Sequence, residues 1–367
     1  MFEEDLEDMG RDLEVGEGAQ EVDRIVGKVR KDPGQPSAEE VARHNATHLP
    51  YRSWCKHCVN GRGTAHPHIT HHSSREGELP TVGADYHYMG KEGEEGTVPM
   101  LAIKDAPSKV VYDMVVTAKG NNSYMVNRVV QCLDLLGHKR IILKSDQEPA
   151  LVALLNEVKN KWSGDIIPER SIVQDSQGNG MIESGIRTLN GQIKTMKSSL
   201  EEHLGEIGSD HICIAWMVEH AAFLISMFGI GRDGKEPYKL LKGKSWSGVV
   251  YEFGEGVQFK PIKTKGRYKL DDKLRSGIFL GVGRKSGEYL LGTNTGVYKA
   301  RDIYRRASGE RWDRSFFDAM VGTPWKWYLR LTPRCQRYHV RAPSRRITLR
   351  RRIWMWCPGV RGYLNIW

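Results

Sequence analysis

The chain has 367 residues, 39% of them hydrophobic, and a formal net charge of +10. That length holds two or three modest domains with packed cores, and a pI of about 9.2 favours an anionic partner, nucleic acid being the commonest. The acidic opening (Glu3, Glu4, Asp5, Glu7, Asp8, Asp12, Glu14) is the opposite of a secretory n-region, so the six cysteines are not expected to form a disulfide framework.

Residues 1–36 are acidic, poor in aromatics and end at Asp32-Pro33-Gly34-Gln35-Pro36, the composition of a disordered segment or linker. Ser37 followed by Glu39 and Glu40 predicts a helix through about His48. A loop with Cys55 and Cys58 follows, then a His-rich stretch to Leu79. His44 and His48 stand one helical turn apart, and Cys55 and Cys58 on a tight turn. Two imidazoles and two thiolates make a closed tetrahedral set suited to structural zinc. A segment of 37–79 also has too few apolar residues for a core of its own. His57, His66, His68, His71 and His72 are alternative ligands, and the other reading is a His-rich basic loop.

From Val82 the texture becomes strand-like: Val82–Met89, Val98–Ile103 and Lys109–Val116 read as three strands. Asn122–Leu136 has helical spacing and ends at Gly137. Arg140–Leu143 reads as a strand, Glu148–Lys161 as a helix and Ser171–Val173 as a strand. A Gly-containing loop, Ser176–Gly180, then precedes a long helix from about Asn179 to Leu200. Three strands, helix, strand, helix, strand, helix is the order of a ribonuclease-H-like α/β domain with a mixed five-stranded sheet and flanking helices. Ile212–Ile230 is the most apolar stretch, but Glu219 and His220 at its middle favour a buried helix over a membrane span. Tyr251–Tyr304 is rich in short, Gly-punctuated strands, as in a small β-barrel. The domain reading is therefore 1–36 disordered, 37–79 zinc-binding, 80–232 catalytic core, 233–309 a basic β-domain and 310–367 a Trp/Arg-rich tail, taken as disordered.

Three carboxylates fall where an open α/β sheet presents ligands. Asp85 lies inside the first strand, Asp146 just past the fourth, and Glu183 near the start of the long helix. Phosphodiester chemistry with two metal ions requires oxygen ligands from several elements converging on one place. Mg²⁺ or Mn²⁺ suits such a set, with waters or phosphates completing the shell. Taken singly each acid has an ordinary reading: a solvent-facing strand residue, a helix cap at Asp146, and a surface pair of Glu183 with Arg187.

Thr81-Val-Gly-Ala-Asp85-Tyr, Leu143-Lys-Ser-Asp146-Gln-Glu-Pro-Ala and Ser176-Gln-Gly-Asn-Gly-Met-Ile-Glu183-Ser together resemble the three catalytic motifs of the retroviral and retrotransposon integrase core. The 36 residues between Asp146 and Glu183 are close to that family's spacing. The second motif departs from it, with Asp-Gln-Glu where the family usually has Asp-Asn-Gly. Glu236-Pro-Tyr-Lys-Leu-Leu-Lys-Gly-Lys is similar to the linker after copia-type cores, and the strands to Tyr304 are similar to the β-domain that follows it.

The resemblance implies an Asp-Asp-Glu integrase that inserts element DNA into target DNA, acts as a homo-oligomer, does not span a membrane, and works in the nucleus or, before that, in a cytoplasmic retroelement particle. It places the helix face with Glu183, Arg187, Asn190 and Lys194 against DNA, with Asn179 in the adjoining loop, and gives Lys263, Lys265, Arg267 and Lys269 a DNA contact. It implies structural zinc on His44, His48, Cys55 and Cys58, although the six residues between His48 and Cys55 are fewer than usual. Two other readings are a ribonuclease-H-like nuclease and a non-catalytic DNA-binding relic. The tail, with Arg345-Arg346 and Arg350-Arg351-Arg352, reads either as a nucleic-acid or nuclear-import segment or as sequence from the end of a decayed element.

Overall fold

The structure is a computed structural model and describes residues 34–62, 79–89, 98–170, 176–231, 233–262 and 272–328. The expectations for the acidic N-terminus, His66, His68, His71, His72, the strand Ser171–Val173, the lysines and arginine at 263–269, and the tail from 329 onward lie outside those residues.

Two short helices come first, α1 (Ala38–Asn45) and α2 (Lys56–Arg62). Ser37 caps α1 reciprocally: its hydroxyl accepts from the Glu40 amide, and the Glu40 carboxylate accepts from the Ser37 amide. The central sheet is built from β1 (Thr81–His87), β2 (Met100–Asp105), β3 (Val111–Val115), β4 (Arg140–Ser145) and β5 (Asp165–Arg170) in the order β3-β2-β1-β4-β5. β1, β2 and β3 pair antiparallel, whereas β4 runs parallel to both β1 and β5. Helix α3 (Ser123–Leu136) joins β3 to β4, α4 (Pro149–Lys161) joins β4 to β5, and α5 (Ser176–Leu204) follows β5. The core is a ribonuclease-H-like fold.

Alternation along β1 divides the two faces. Val82, Ala84 and Tyr86 enter an apolar cluster with Met125, Val129 and Leu133 of α3 and Leu151 and Leu154 of α4. Gly83, Asp85 and His87 turn to the opposite face, where α5 lies. Its approach requires Gly83 to lack a side chain, since a Cβ there would sit 3.1 Å from Ile182 Cβ.

The strand paired with β4 is Asp165–Arg170 among the described residues, and the expected Ser171–Val173 follows it outside them. Pro168 and the charged ends disguise it, yet β5 is the sheet's edge, where a missing N–H is tolerated. Helix α5 begins at Ser176, so Ser176–Gly180 forms its first turn rather than a loop.

Beyond the core, α6 (Cys213–Phe228) is buried along almost its whole length. No helix among the described residues is long and apolar enough to cross a membrane. α7 (Pro237–Lys242) leads to a second sheet of β6 (Gly256–Phe259), β7 (Arg275–Val282), β8 (Tyr289–Thr293), β9 (Gly296–Ala300) and β10 (Ile303–Arg305), in the order β10-β6-β7-β8-β9. All its pairings are antiparallel, and beyond the sheet's last strand Val297 N donates to Trp327 O at 2.8 Å.

This sheet shares one apolar cluster with α5 and α6, running from Leu200, Trp216 and Phe223 to Phe259, Phe279 and Val297. Gly281, at a bulge in β7 with φ 137°, is pressed against the His220 ring, where a Cβ would lie 2.9 Å from Nδ1. The expectation of disorder from 310 is corrected up to residue 328. Helix α8 (Arg314–Asp318) buries Phe317, Met320 follows it into the core, and Trp216 Nε1 donates to Gly322 O at 2.9 Å. Trp327, in the stretch read as tail, is a packing residue, edge-on to Trp216 at 5.9 Å.

Candidate active site and metal centre

Asp85 and Asp146 come from adjacent parallel strands and meet at the carboxyl end of the sheet. Asp85 is half-buried, and burial, followed by the charge of Asp146, pushes its carboxyl up to about 6. Glu148 adds to the effect from further down the same turn. Asp146 Oδ1 accepts from the Glu148 amide at 3.0 Å, an Asx-type turn that fixes the loop between β4 and α4. Glu148, not Asp146, occupies the N-cap position of α4, without a capping side-chain hydrogen bond. A desolvated carboxylate under the charge of a second one forms a site whose repulsion a divalent cation relieves. The donor set fits Mg²⁺ or Mn²⁺, which takes a few carboxylates and fills its shell with water or phosphate oxygens.

Glu183 approaches this pair without joining it. It follows Ile182, which rests on Gly83 two residues before Asp85, and its own side chain is exposed. Lys104 of β2 fastens this part of the helix, its Nζ donating to Met181 O at 3.2 Å. Among the described residues, the one group of three or more His, Cys, Asp or Glu side chains with ligand atoms within 4.8 Å of one another is the His/Cys set.

The helix face assigned to DNA divides. Arg187 and Lys194 are exposed, but Asn190 is half-buried with a buried Oδ1 and contributes to the environment of His87. The reason is register: Ile182, Leu189, Ile193, Met196 and Leu200 form the buried stripe of α5, and position 190 borders it. The side chain of Asn179 is outside the described residues.

Beneath Asp85 lies a pair that the sequence reading missed. His87 Nε2 is 3.0 Å from Asp113 Oδ1, and both side chains are buried. Burial opposes charge on the imidazole, but Asp113 outweighs it and holds the His87 proton. A visible signal was Asp113 itself, an acid within the apolar run Val110–Val116, where an unpaired carboxylate would be prohibitively costly. A similar argument covers Glu219, half-buried on α6 and paired with Arg128 of α3 at 2.8 Å.

The second centre is at the N-terminal side of the chain. His44, His48, Cys55 and Cys58 are all buried, and their ligand atoms lie within 4.8 Å of one another. His44 Nε2 is 3.3 Å from Cys58 Sγ, and His48 Nδ1 is 3.6 Å from Cys55 Sγ. Edges of about 3.4–3.8 Å are what a tetrahedron with Zn–S near 2.3 Å and Zn–N near 2.1 Å requires. The Cys55 thiol donates to Cys58, lowering the Cys58 pKa and raising that of Cys55. Arg62 reinforces the thiolate, Nη2 lying 3.1 Å from Cys58 Sγ. His57 is not a ligand. It faces α5, with Nδ1 2.8 Å from Ser198 Oγ and Nε2 2.7 Å from Glu202. Burial lowers its pKa. Cys132 and Cys213 are buried free thiols elsewhere in the fold.

No family model matches the sequence, and no curated protein matches it. Among solved structures, a simian T-cell lymphotropic virus intasome aligns over 64% of this chain and 84% of its own, at 14% identity and a TM-score of 0.32. The HTLV-2 integrase catalytic core domain in complex with magnesium (trimeric form) aligns over 44% of this chain and 97% of its own, at 15% identity and a TM-score of 0.32. The BIV integrase catalytic core domain aligns over 43% and 92%, at 16% identity and a TM-score of 0.29. These similar structures are retroviral integrases.

Proposed function

We propose that the chain is a retrotransposon integrase that performs metal-dependent polynucleotidyl transfer with Asp85, Asp146 and Glu183. The observation that carries this reading is Asp85, desolvated and under the charge of Asp146, at the carboxyl end of a ribonuclease-H-like sheet, with Glu183 on the helix that crosses the same face. Asp85 and Asp146 would hold Mg²⁺ or Mn²⁺, and Glu183 would complete the set once cations offset the mutual repulsion of the acids. The ions would polarise the phosphodiester and lower the pKa of the attacking hydroxyl. Arg187 and Lys194, exposed along α5 beyond Glu183, would contact the DNA backbone. Zinc on His44, His48, Cys55 and Cys58 is structural in this reading. Assembly as a homo-oligomer on DNA, in the nucleus, belongs to the same proposal.

The test is a strand-transfer assay with short duplex ends and Mg²⁺ or Mn²⁺, comparing wild type with Asp146→Asn and Glu183→Gln. Joining by the wild type alone is expected. Joining by the Glu183→Gln protein would remove that residue from the site. Absence of joining by a folded, DNA-binding wild type would favour the non-catalytic reading.

A further inference from the structure

The loop between β3 and α3 brings an ammonium group to the same sheet edge as the carboxylates. Lys119 Nζ lies 2.7 Å from Glu148 Oε1, 5.2 Å from the centre of the Tyr86 ring and 5.0 Å from that of Tyr88. The loop is itself tied to β1, since the Gly120 amide donates to Tyr86 Oη at 3.4 Å. Tyr86 follows Asp85 in β1, and Glu148 belongs to the turn whose amide is held by Asp146. The charge of Glu148 also acts on Asp85. One cation is thus anchored through two rings and one carboxylate to both strands that supply the acids.

The arrangement answers an electrostatic problem. Asp85, Asp146 and Glu148 together repel a nucleic-acid strand, and divalent ions between the two aspartates offset that repulsion only locally. An ammonium beside Glu148 attracts the next phosphate along the strand. Both Lys119 and Glu148 keep about a quarter of their side-chain surface exposed (23% and 27%), so a phosphate oxygen can reach the pair. The aromatic faces hold the ammonium in place without neutralising it, and its three donors allow a phosphate to be bound as Glu148 is displaced or alongside it.

We propose that Lys119 is a phosphate-binding residue for DNA at this site, with Glu148 its counter-ion when no strand is bound. The proposal rests on reading the chain as a DNA-processing enzyme and adds to it a contact outside the three acidic motifs and outside α5.

The experiment is fluorescence anisotropy with the full chain, zinc-loaded, and a labelled short DNA duplex across a salt titration, comparing wild type, Lys119→Gln, Lys119→Arg and Glu148→Gln. Thermal melting of each variant accompanies it. A phosphate contact predicts that Lys119→Gln weakens binding severalfold at low salt and reduces the slope of log K against log salt by roughly one. Lys119→Arg restores both, and Glu148→Gln binds at least as tightly as wild type because the competing anion is gone. A merely structural ion pair predicts that Lys119→Gln and Glu148→Gln weaken binding alike, in step with lowered melting temperatures, and that outcome overturns the proposal. Unchanged affinity and slope in Lys119→Gln, with a wild type that binds DNA, overturns the role of Lys119 alone. A folded wild type that binds no DNA at any salt overturns this inference together with the functional reading beneath it.

Discussion

Gly61 of α2 and Gly191 of α5 meet so closely that neither has room for a side chain. A Cβ on Gly61 would lie 2.9 Å from Gly191 O, and one on Gly191 would lie 3.2 Å from Gly61 O. Around this contact Gln192 Nε2 donates to Thr47 O at 2.8 Å, and His57 and Lys56 bind Ser198 and Glu202. The His/Cys knuckle is therefore seated on the same helix that carries Glu183 further toward its N-terminus. Gly61→Val is expected to pry the two helices apart and destabilise the chain by about 1–3 kcal/mol. Thermal melting at saturating zinc measures it, and an unaltered melting temperature would mean that the knuckle is not docked there.

Zinc removal is expected to act on the same contact. The knuckle has four buried ligands and little apolar surface of its own, so its folding free energy is largely metal-binding free energy. One zinc per chain is expected from a colorimetric metal assay. Chelation should speed hydrogen exchange in Leu189–Glu202 of α5, with re-addition of zinc restoring protection, while α3 and α4 on the other face of the sheet keep theirs. Equal loss of protection in all three helices would contradict a local role. Cys58→Ser should reproduce the chelated state, because Cys58 is the thiolate on which His44 and Arg62 also converge.

The core was legible because its cues are local. Apolar runs separated by turns marked the three antiparallel strands, helical spacing marked Asn122–Leu136, and Ser37 and Glu40 signalled the first cap. The two aspartates stood out because Asp85 lies inside the first strand and Asp146 just past the fourth, each within its own short motif. What sequence could not supply is long-range. Asp113 finds His87 across β2, Trp216 finds Gly322 and Trp327 far along the chain, and the second sheet merges with α6 instead of standing apart. The break at Pro168 hid β5, because Pro reads as a strand breaker unless the strand is known to be an edge. Asn190 was misassigned by one position on a helical wheel, where the boundary between the buried and exposed stripes decides its direction.

The raised pKa of Asp85 has a consequence for stability. Its folded-state value of about 6 lies above the ordinary 3.8, so the folded protein binds this proton more tightly than the unfolded chain. Stability from this group is therefore greatest below the unfolded value and falls as pH rises from about 4 through 6. Asp85→Asn is expected to raise metal-free stability at pH 7 by on the order of 1–2 kcal/mol, a gain that shrinks toward pH 4. Melting curves across that range check the sign. Millimolar Mg²⁺ should stabilise the wild type and leave Asp85→Asn nearly unmoved, since binding to the folded state alone adds stability by mass action. Equal stabilisation of both proteins would place the cation elsewhere.

Arg284 supplies the last test, of how the second sheet is joined to the core. It is half-buried after β7 and lies 4.3 Å above the Tyr112 ring. Its Nη2 donates to Val111 O at 2.9 Å, and its Nη1 is 3.4 Å from Ser226 Oγ, so it links that sheet to β3 and α6. Burial lowers its pKa, while Tyr112, Cys132 and Glu219 partly compensate. A guanidinium in such a place is tolerated only because its donors are used. Arg284→Ala would remove one of the two donors to Val111 O, Ser226 Oγ remaining, and open a void above Tyr112, a loss of about 1–3 kcal/mol in urea denaturation. Arg284→Met refills much of the void but not the hydrogen bonds, and is expected to recover part of that loss. If the methionine variant equalled or exceeded the wild type, packing rather than the cation would be what joins the second sheet to the core.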